Sequence, residues 1–198
     1  MHLEYKNILG VLAIVVAFTG YFFYIRDIIR GKTKPHAFSW LIWGILEAIA
    51  FFAQITEGAG AGAWVTGAGA LLAIFVSVVG FVQKEKDIKF VDWLALIGAG
   101  IGIVLWQVTS NPLTAVVSVT IADAVAFVPT FRKGFHKPNE ETLIEYLLSS
   151  LKWIIGIFAL QSFSLTTWLY PASLVLTNGA FVAMAQIRRI QLRNSIKK

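Results

Sequence analysis

Apolar residues dominate seven stretches of this 198-residue chain, and short polar segments separate the stretches. Each stretch is close to the roughly 20 residues that a helix needs to cross the hydrocarbon core of a membrane. Their bounds, each good to a few residues, are 8–25, 38–56, 61–83, 90–108, 112–131, 142–160 and 164–187. The pattern therefore predicts an all-α membrane protein with seven transmembrane helices.

Glycines recur at short intervals in the third and fourth stretches. In the fourth, Gly98, Gly100 and Gly102 alternate with other apolar residues. Small residues allow two helix backbones to approach closely in lipid. We interpret these glycines as helix-packing positions, and the alternative interpretation is a glycine hinge.

The composition excludes a soluble fold. Hydrophobic residues make up 57% of the chain and charged residues only 14%, whereas a soluble domain has about 25% charged residues. The net charge of +6 does not predict a nucleic-acid partner, because the basic residues lie beside the spans. There they act as topology signals and neighbour anionic lipid headgroups. The chain has no cysteine, so disulfides, thiol nucleophiles and cysteine-bearing metal sites are excluded.

The positive charges fall almost entirely on one side of the predicted membrane. If all seven stretches span, Lys6 lies on the other side and Lys152 lies inside a span. Cytoplasmic loops carry the Lys and Arg excess of membrane proteins, so the pattern predicts an outside N-terminus and an inside C-terminus. The residues on the predicted cytoplasmic side are Arg26, Arg30, Lys32, Lys34, Lys84, Lys86, Lys89, Arg132, Lys133, Lys137, Arg188, Arg189, Arg193, Lys197 and Lys198.

An internal repeat relates the two halves of the chain. An offset of 103 residues joins three pairs: Lys34-Pro35 with Lys137-Pro138, Gly31 with Gly134, and Gln83 with Gln186. Repeats of this kind are typical of transporters. The repeat predicts two parallel three-helix units joined by a linker helix. The units are 1–87 and 111–198, the second with a basic cytoplasmic tail, and the linker is 88–110.

One segment carries a family resemblance. Residues 128–137 read Val-Pro-Thr-Phe-Arg-Lys-Gly-Phe-His-Lys, which resembles the signature of the SWEET sugar transporters and the wider PQ-loop superfamily. In that family a proline ends the first helix of each three-helix unit, and a basic loop follows it. The resemblance implies a 3+1+3 arrangement of helices, a solute site between the two units, a hinge at Pro129 and a binding role for Asn178. The Pro-Gln pair itself is absent, because Thr130 follows Pro129.

Four polar residues lie in the middle of predicted spans: Glu47, Asp123, Lys152 and Asn178. A charge at the bilayer centre costs roughly 2.5–3.5 kcal/mol on insertion scales, so such residues face the bundle interior or a water-filled cavity. They predict a substrate or proton site. The alternative is a structural ion pair that locks the two units together, and for Asn178 it is a hydrogen bond between helices.

The three charged residues lie at nearly one depth. Glu47 is 12 residues beyond Pro35 and Lys152 is 14 beyond Pro138, a difference of about 3 Å at 1.5 Å per residue. Asp123 is 11 residues into its own span from the other side. At this common depth near the midplane, the three charged groups could form one network, while the sequence leaves open whether they face one another.

Aromatic residues and one charged pair complete the candidate site. Trp43 and Trp153 lie deep in their spans, where each either stacks on a ligand or packs in the core. Arg26 and Asp27 form either an inner gate or an ordinary ion pair at the membrane surface. Five other tryptophans lie near span ends, where an aromatic belt is expected: Trp40, Trp64, Trp93, Trp106 and Trp168.

These observations predict a transporter of a small polar solute that works by alternating access, with proton coupling as an option. Two alternatives stay open: a receptor or cargo binder with the layout of the KDEL receptors, and a structural membrane protein without a ligand. We expect no enzyme, because no Ser-His-Asp or metal-ligand set converges at one depth, and we expect no cofactor and no metal.

The expected partners are a small-molecule solute and membrane lipids, with no nucleic acid and a homo-oligomer left open. The expected location is a prokaryotic plasma membrane, as an integral multi-pass protein.

Overall fold

The computed structural model describes residues 2–83 and 90–195, and these residues are entirely helical outside their connections. Two short 3-10 helices, Gly60–Ala63 and Pro138–Glu140, precede α3 and α6. The predictions for Lys84, Lys86, Lys89, Lys197 and Lys198 lie outside the described residues. The α helices are α1 (His2–Ile29), α2 (Ala37–Thr56), α3 (Trp64–Val82), α4 (Phe90–Thr109), α5 (Pro112–His136), α6 (Leu143–Phe158) and α7 (Leu165–Ser195).

Five helical segments in the described part of the chain are long and apolar enough to cross a membrane: Glu4–Ile29, Ala37–Thr56, Gly60–Val82, Pro112–His136 and Leu165–Ser195. The apolar part of α4 is shorter. The 16 residues of α6 extend about 24 Å at 1.5 Å per residue, which is less than the roughly 30 Å hydrocarbon core. Five of the seven predicted spans therefore reach full spanning length by themselves.

The outer surface of the bundle is strongly apolar. On α1, Ile8 and Phe22 are 67% and 64% exposed, and on α4, Val108 is 77% exposed. Monomeric soluble proteins rarely present apolar surface of this extent to water, whereas lipid chains are a suitable neighbour for it. The surface and the lengths of the helices both indicate a membrane protein.

We call α1–α3 the N-terminal set and α5–α7 the C-terminal set, after their order in the chain. Helix α3 contacts both α1 and α2, and α7 contacts both α5 and α6. The two sets meet where α1 packs on α6 and where α2 packs on α5, and α4 packs mainly on α5. The interface between the sets is therefore lined mainly by α1, α2, α5 and α6.

Helix α5 continues through Pro129 to His136, so Pro129 does not end its helix as the proline of the resembled family does. Proline removes one helical hydrogen bond, but the following turns remain packed on α7. A Cβ at Gly134 would lie 2.5 Å from the ring of Phe181, which shows how closely these helices approach. The repeat partners Gly31 and Gly134 also differ, because Gly31 has a φ of +66° after the end of α1, whereas Gly134 lies inside a helix.

The two ends of the bundle differ in charge. At one end, the Lys133 ammonium donates to the Lys34 carbonyl at 2.7 Å, and the Arg189 guanidinium donates to the Pro138 carbonyl at 2.8 Å. At the opposite end, the Lys6 ammonium donates to the Leu160 carbonyl at 2.6 Å. We call these the basic end and the opposite end.

Candidate functional site

A small cavity lies between the two sets of helices, and we call it the central cavity. Its walls include Trp43 and Glu47 from α2, Asp123 from α5, Trp153 from α6 and Asn178 from α7. Its volume of about 20 Å³ is enough for one water-sized group. Five of the six residues that the sequence predicted for substrate binding therefore line a common space.

The two predicted carboxylates in this cavity are only partly satisfied. Asp123 is 1% exposed, and its Oδ1 accepts a hydrogen bond from the Tyr170 hydroxyl at 3.4 Å. Its Oδ2 is buried and has no hydrogen-bond partner among the described residues, and the same holds for Oε2 of Glu47. Because a buried acceptor without a partner is costly, these oxygens require an explanation.

Glu47 reaches its position because α3 has no side chain at Gly69. The Glu47 carboxylate occupies the space where a Cβ of Gly69 would stand. The sixth predicted residue, Lys152, lies beside the cavity and is 1% exposed. Its ammonium is 5.0 Å from the ring centroid of Tyr21 and 4.8 Å from that of Trp153, a cation–π arrangement.

Lys152 supplies positive charge to two carboxylates rather than to all of them. Its charge acts on Glu47 and on Glu145, while Asp123 interacts with Glu47 and with Tyr170. Within the predicted network, Glu47 therefore interacts with both Lys152 and Asp123, and Asp123 interacts with Glu47 and Tyr170.

Aromatic side chains form the end of the central cavity that faces the basic end. Trp43 packs on Phe127 with ring centroids 4.9 Å apart and on Trp40 at 5.1 Å. Trp40 is 4% exposed and donates to the Tyr24 hydroxyl at 3.1 Å. Its prediction as a membrane-belt residue is therefore wrong, because this face of α2 turns toward α1. The indole Nε1 of Trp43 is buried without a hydrogen-bond partner among the described residues.

A larger space, which we call the vestibule, extends from the central cavity to the basic end. Its volume is about 440 Å³, and its outer part is bordered by Lys34 and Lys137, both exposed. Trp40, Trp43 and Tyr146 line both the vestibule and the central cavity. These three side chains therefore lie at the junction of the two spaces.

The opposite end of the bundle is closed by contacts between the two sets. The Gln54 amide donates to the Thr167 carbonyl at 2.8 Å, and the Gln161 N–H donates to the Ala59 carbonyl at 3.0 Å. A Cβ at Gly62 would lie 2.8 Å from the backbone nitrogen of Leu160. These contacts hold the two sets against each other at the opposite end.

The predicted gate residues lie at the basic end. Arg26 and Asp27 form an ion pair of 2.9 Å. The Thr142 hydroxyl donates to Oδ2 of Asp27 at 3.2 Å and also pairs with the Thr33 hydroxyl. Asp27 thus connects the end of α1 with the start of α6, and Pro129 lines the vestibule.

Sequence reasoning missed Glu145, which lines the central cavity and is 3% exposed. It lies seven residues before Lys152, with Ser149 between them. Positions i, i+4 and i+7 lie on one helix face, so the stripe is visible in the sequence. A site role for Glu145 was not predicted because this residue lies close to the predicted start of its span.

Glu141 forms a second buried acid, outside the spans. Its carboxylate pairs with the Lys133 ammonium at 2.7 Å and accepts a hydrogen bond from the Tyr146 hydroxyl at 3.3 Å. Burial raises the pKa of Glu141 above its usual value of 4.5, and the positive charge of Lys133 opposes that rise. This acid connects the vestibule wall to α6.

Within residues 2–83 and 90–195, no group of three or more His, Asp or Glu side chains is arranged to hold a metal ion. Comparison of the chain with protein-family models, with curated proteins and with solved structures found no match. The assignment of the site therefore depends on the geometry and charge of the cavity and vestibule.

Proposed function

We propose that this protein is a transporter of a small polar solute that works by alternating access. The observation that carries the proposal is the path from the basic end: a wide vestibule leads to a buried polar cluster whose hydrogen-bonding groups are only partly used. Beyond the cluster, the path ends at the close backbone contacts of the opposite end. A carrier with a buried site and a vestibule on one side has this arrangement.

The proposal includes two three-helix units joined by a linker, the layout of the SWEET and PQ-loop transporters that the sequence resembles. The packing supports it, because α1–α3–α2 and α5–α7–α6 follow the same spatial order. The contacts α1–α6 and α2–α5 are equivalent if α1 corresponds to α5 and α2 to α6. A rocking motion of one unit against the other would open and close the space between them.

We orient the basic end toward the cytoplasm, with the N-terminus outside. The support is the concentration of Lys and Arg at that end, as the charge rule for membrane proteins expects. The vestibule then faces the cytoplasm, and in this proposal the structure corresponds to an inward-facing state with a buried site.

The buried acids suit proton coupling. Protonation of Asp123 or Glu47 removes a negative charge from the cavity and changes its interaction with Lys152. A change of that kind favours one of two conformations when the two bury the acid differently. Hinge bending at Pro129, which lines the vestibule, would give α5 the required freedom.

A receptor is the second candidate, and one observation favours it: the vestibule opens to one side. The two functions differ in whether the opposite end ever opens. A structural ion pair that only locks the helices together explains neither the vestibule nor the carboxylate oxygens without partners in the described part of the chain.

Cysteine labelling distinguishes a transporter from a receptor. Because the chain has no native cysteine, only the introduced thiol reacts. Thr130→Cys places a thiol in the vestibule wall. Val65→Cys places one in a fully buried position where α3 meets Gly156 of α6, near the opposite end. An exposed residue between α4 and α5, Ser110→Cys, reports labelling from outside.

Membrane-impermeant maleimide is added to either side of oriented vesicles. A transporter predicts labelling of Thr130→Cys from the inside and slower labelling of Val65→Cys from the outside. A bound solute should then change the two rates in opposite directions. If Val65→Cys stays unreactive while Ser110→Cys reacts fully, alternating access is wrong and a receptor is supported.

A further inference from the structure

The buried charges around the central cavity are unbalanced. Glu47, Asp123 and Glu145 are 6%, 1% and 3% exposed, and Lys152, the one buried cation among the described residues that acts on them, is 1% exposed. Buried charges are normally paired. Three acids with one ammonium leave the site short of positive charge.

The shortage is local to the Asp123 side of the cavity. Lys152 acts on Glu47 and Glu145 and lies over the rings of Tyr21 and Trp153. Asp123 has only the Tyr170 hydroxyl on one oxygen, and its Oδ2 has no partner in the described part of the chain. A ligand that donates hydrogen bonds and carries positive charge would satisfy this oxygen.

The walls also suit a cation. Trp43 and Phe127 line the central cavity beside Asp123, and aromatic faces attract cations through their quadrupole. The volume of about 20 Å³ accepts one water-sized group. A primary ammonium is of that size and has three donors, whereas a trimethylammonium group is several times larger.

Trp43 adds a second requirement. Its Nε1 is a buried donor without a partner among the described residues, so a matching ligand has an oxygen acceptor near its ammonium. Trp43 is four residues before Glu47 on α2, one turn away on the same helix face. Both groups reach the cavity from one helix.

We propose that the transported solute is a primary amine that carries a nearby oxygen acceptor, and that its ammonium binds Asp123 in the central cavity. The oxygen accepts a hydrogen bond from Trp43, and the rest of the solute lies in the vestibule. This inference rests on the proposed function, because it names the substrate class of the same site.

Small probes that differ in one group test the inference. Ethanolamine, choline, ethylene glycol and glycolate share a two-carbon hydroxyl skeleton and differ in the charge and size of the second group. Full-length protein in detergent is heated at neutral pH with each probe. A ligand at about ten times its Kd should raise the Tm by roughly 3–6 °C for a chain of this size.

We expect a shift with ethanolamine and none with choline, ethylene glycol or glycolate. Asp123→Asn should abolish the shift, while Glu57→Gln, which neutralises a carboxylate at the opposite end, should retain it. The inference is overturned if a neutral or anionic probe stabilises as well as ethanolamine, if choline does, or if ethanolamine has no effect at about 100 mM.

A second variant covers the case in which Asp123→Asn does not fold. Trp43→Phe keeps an aromatic ring and removes the indole donor. In this variant the Tm shift with ethanolamine should equal that with ethylamine. A larger shift with ethanolamine, as expected for the wild type, would contradict the role of Trp43. If Thr130→Cys is labelled from inside and Val65→Cys from outside but ethanolamine does not raise the Tm, only the amine inference is overturned. If ethanolamine raises the Tm but only Thr130→Cys is labelled, only the transport proposal is overturned.

Discussion

Single residues set the electrostatics of this protein. Lys152 lies beside acids that would otherwise be buried without a counter-charge, and its neighbours Tyr21 and Trp153 surround the ammonium with aromatic faces. Removing one partner of a buried charged group leaves the other uncompensated, which costs more than the pair itself contributes.

Lys152→Met keeps the length of the side chain and removes its charge. We expect it to lower the free energy of unfolding by roughly 3–5 kcal/mol, because Glu47 and Glu145 lose their positive neighbour. Adding Glu145→Gln should restore part of the loss, since one uncompensated charge disappears. Unfolding in detergent measures both variants, and additive losses in the double variant would contradict the coupling.

Glu141 gives a pH-dependent prediction outside the spans. Its pKa is raised by burial, so the protonated form favours folding, and its contribution to stability is lost as pH rises from 4.5 through the raised pKa. Lys133 opposes this effect, and Glu140 adds to it.

Wild-type protein should therefore lose stability relative to Glu141→Gln over that pH range. Melting curves of both proteins in detergent, recorded at several pH values, test the sign. A Glu141→Gln curve that runs parallel to wild type at every pH would show that Glu141 does not contribute.

Helices approach closely where glycine removes a side chain, and the consequences differ along the chain. On α4, a Cβ at Gly98 would lie 2.9 Å from the Cβ of Ala122, whereas Gly100 has no neighbour within 4 Å. The sequence predicted helix packing for all three glycines of α4, and Gly100 is the exception because it faces away from α5.

Gly62→Ala and Gly100→Ala are matched substitutions that add one methyl group to a crowded and to an open position. The first should destabilise the protein by about 1–3 kcal/mol, because the new methyl meets the Leu160 backbone. The second should be neutral or should stabilise by about 0.5–1 kcal/mol, since alanine favours the helix. Tm measurements decide between them, and equal effects of the two substitutions would refute this account.

The two ends of the molecule differ, because the vestibule lies at the basic end and contacts between α2 and α7 lie at the opposite end. Gln54 is fully buried and connects α2 to α7 through the Thr167 carbonyl. Thr56, two residues later, donates to the Ala53 carbonyl of its own helix. Substitution of Gln54 therefore tests a contact between helices, and substitution of Thr56 tests a hydrogen bond within one helix.

If the protein alternates between two states as proposed, Gln54→Ala should increase the rate at which Val65→Cys is labelled from outside, because the bond to Thr167 stabilises only the state seen here. Thr56→Ala should leave that rate unchanged. Equal rates in both backgrounds would show that the Gln54 contact does not hold the opposite end closed.

The sequence alone predicted the positions of the helices, the separation of charge between two ends and the common depth of Glu47, Asp123 and Lys152. These properties are linear along the chain, because hydropathy is local and a helix rises by 1.5 Å per residue. Depth therefore follows from counting, and the structure places two of these charges in the cavity wall and the third beside it.

Only the tertiary structure decided which residues face one another. Rotation about a helix axis depends on the packing of neighbouring helices. This rotation buries Trp40, places Glu145 in the cavity wall and brings Lys152 to act on Glu47. The continuation of α5 beyond Pro129 was decided in the same way, by contacts with α7 that outweigh one lost hydrogen bond. Residues distant in sequence form these contacts, and no local pattern contains them.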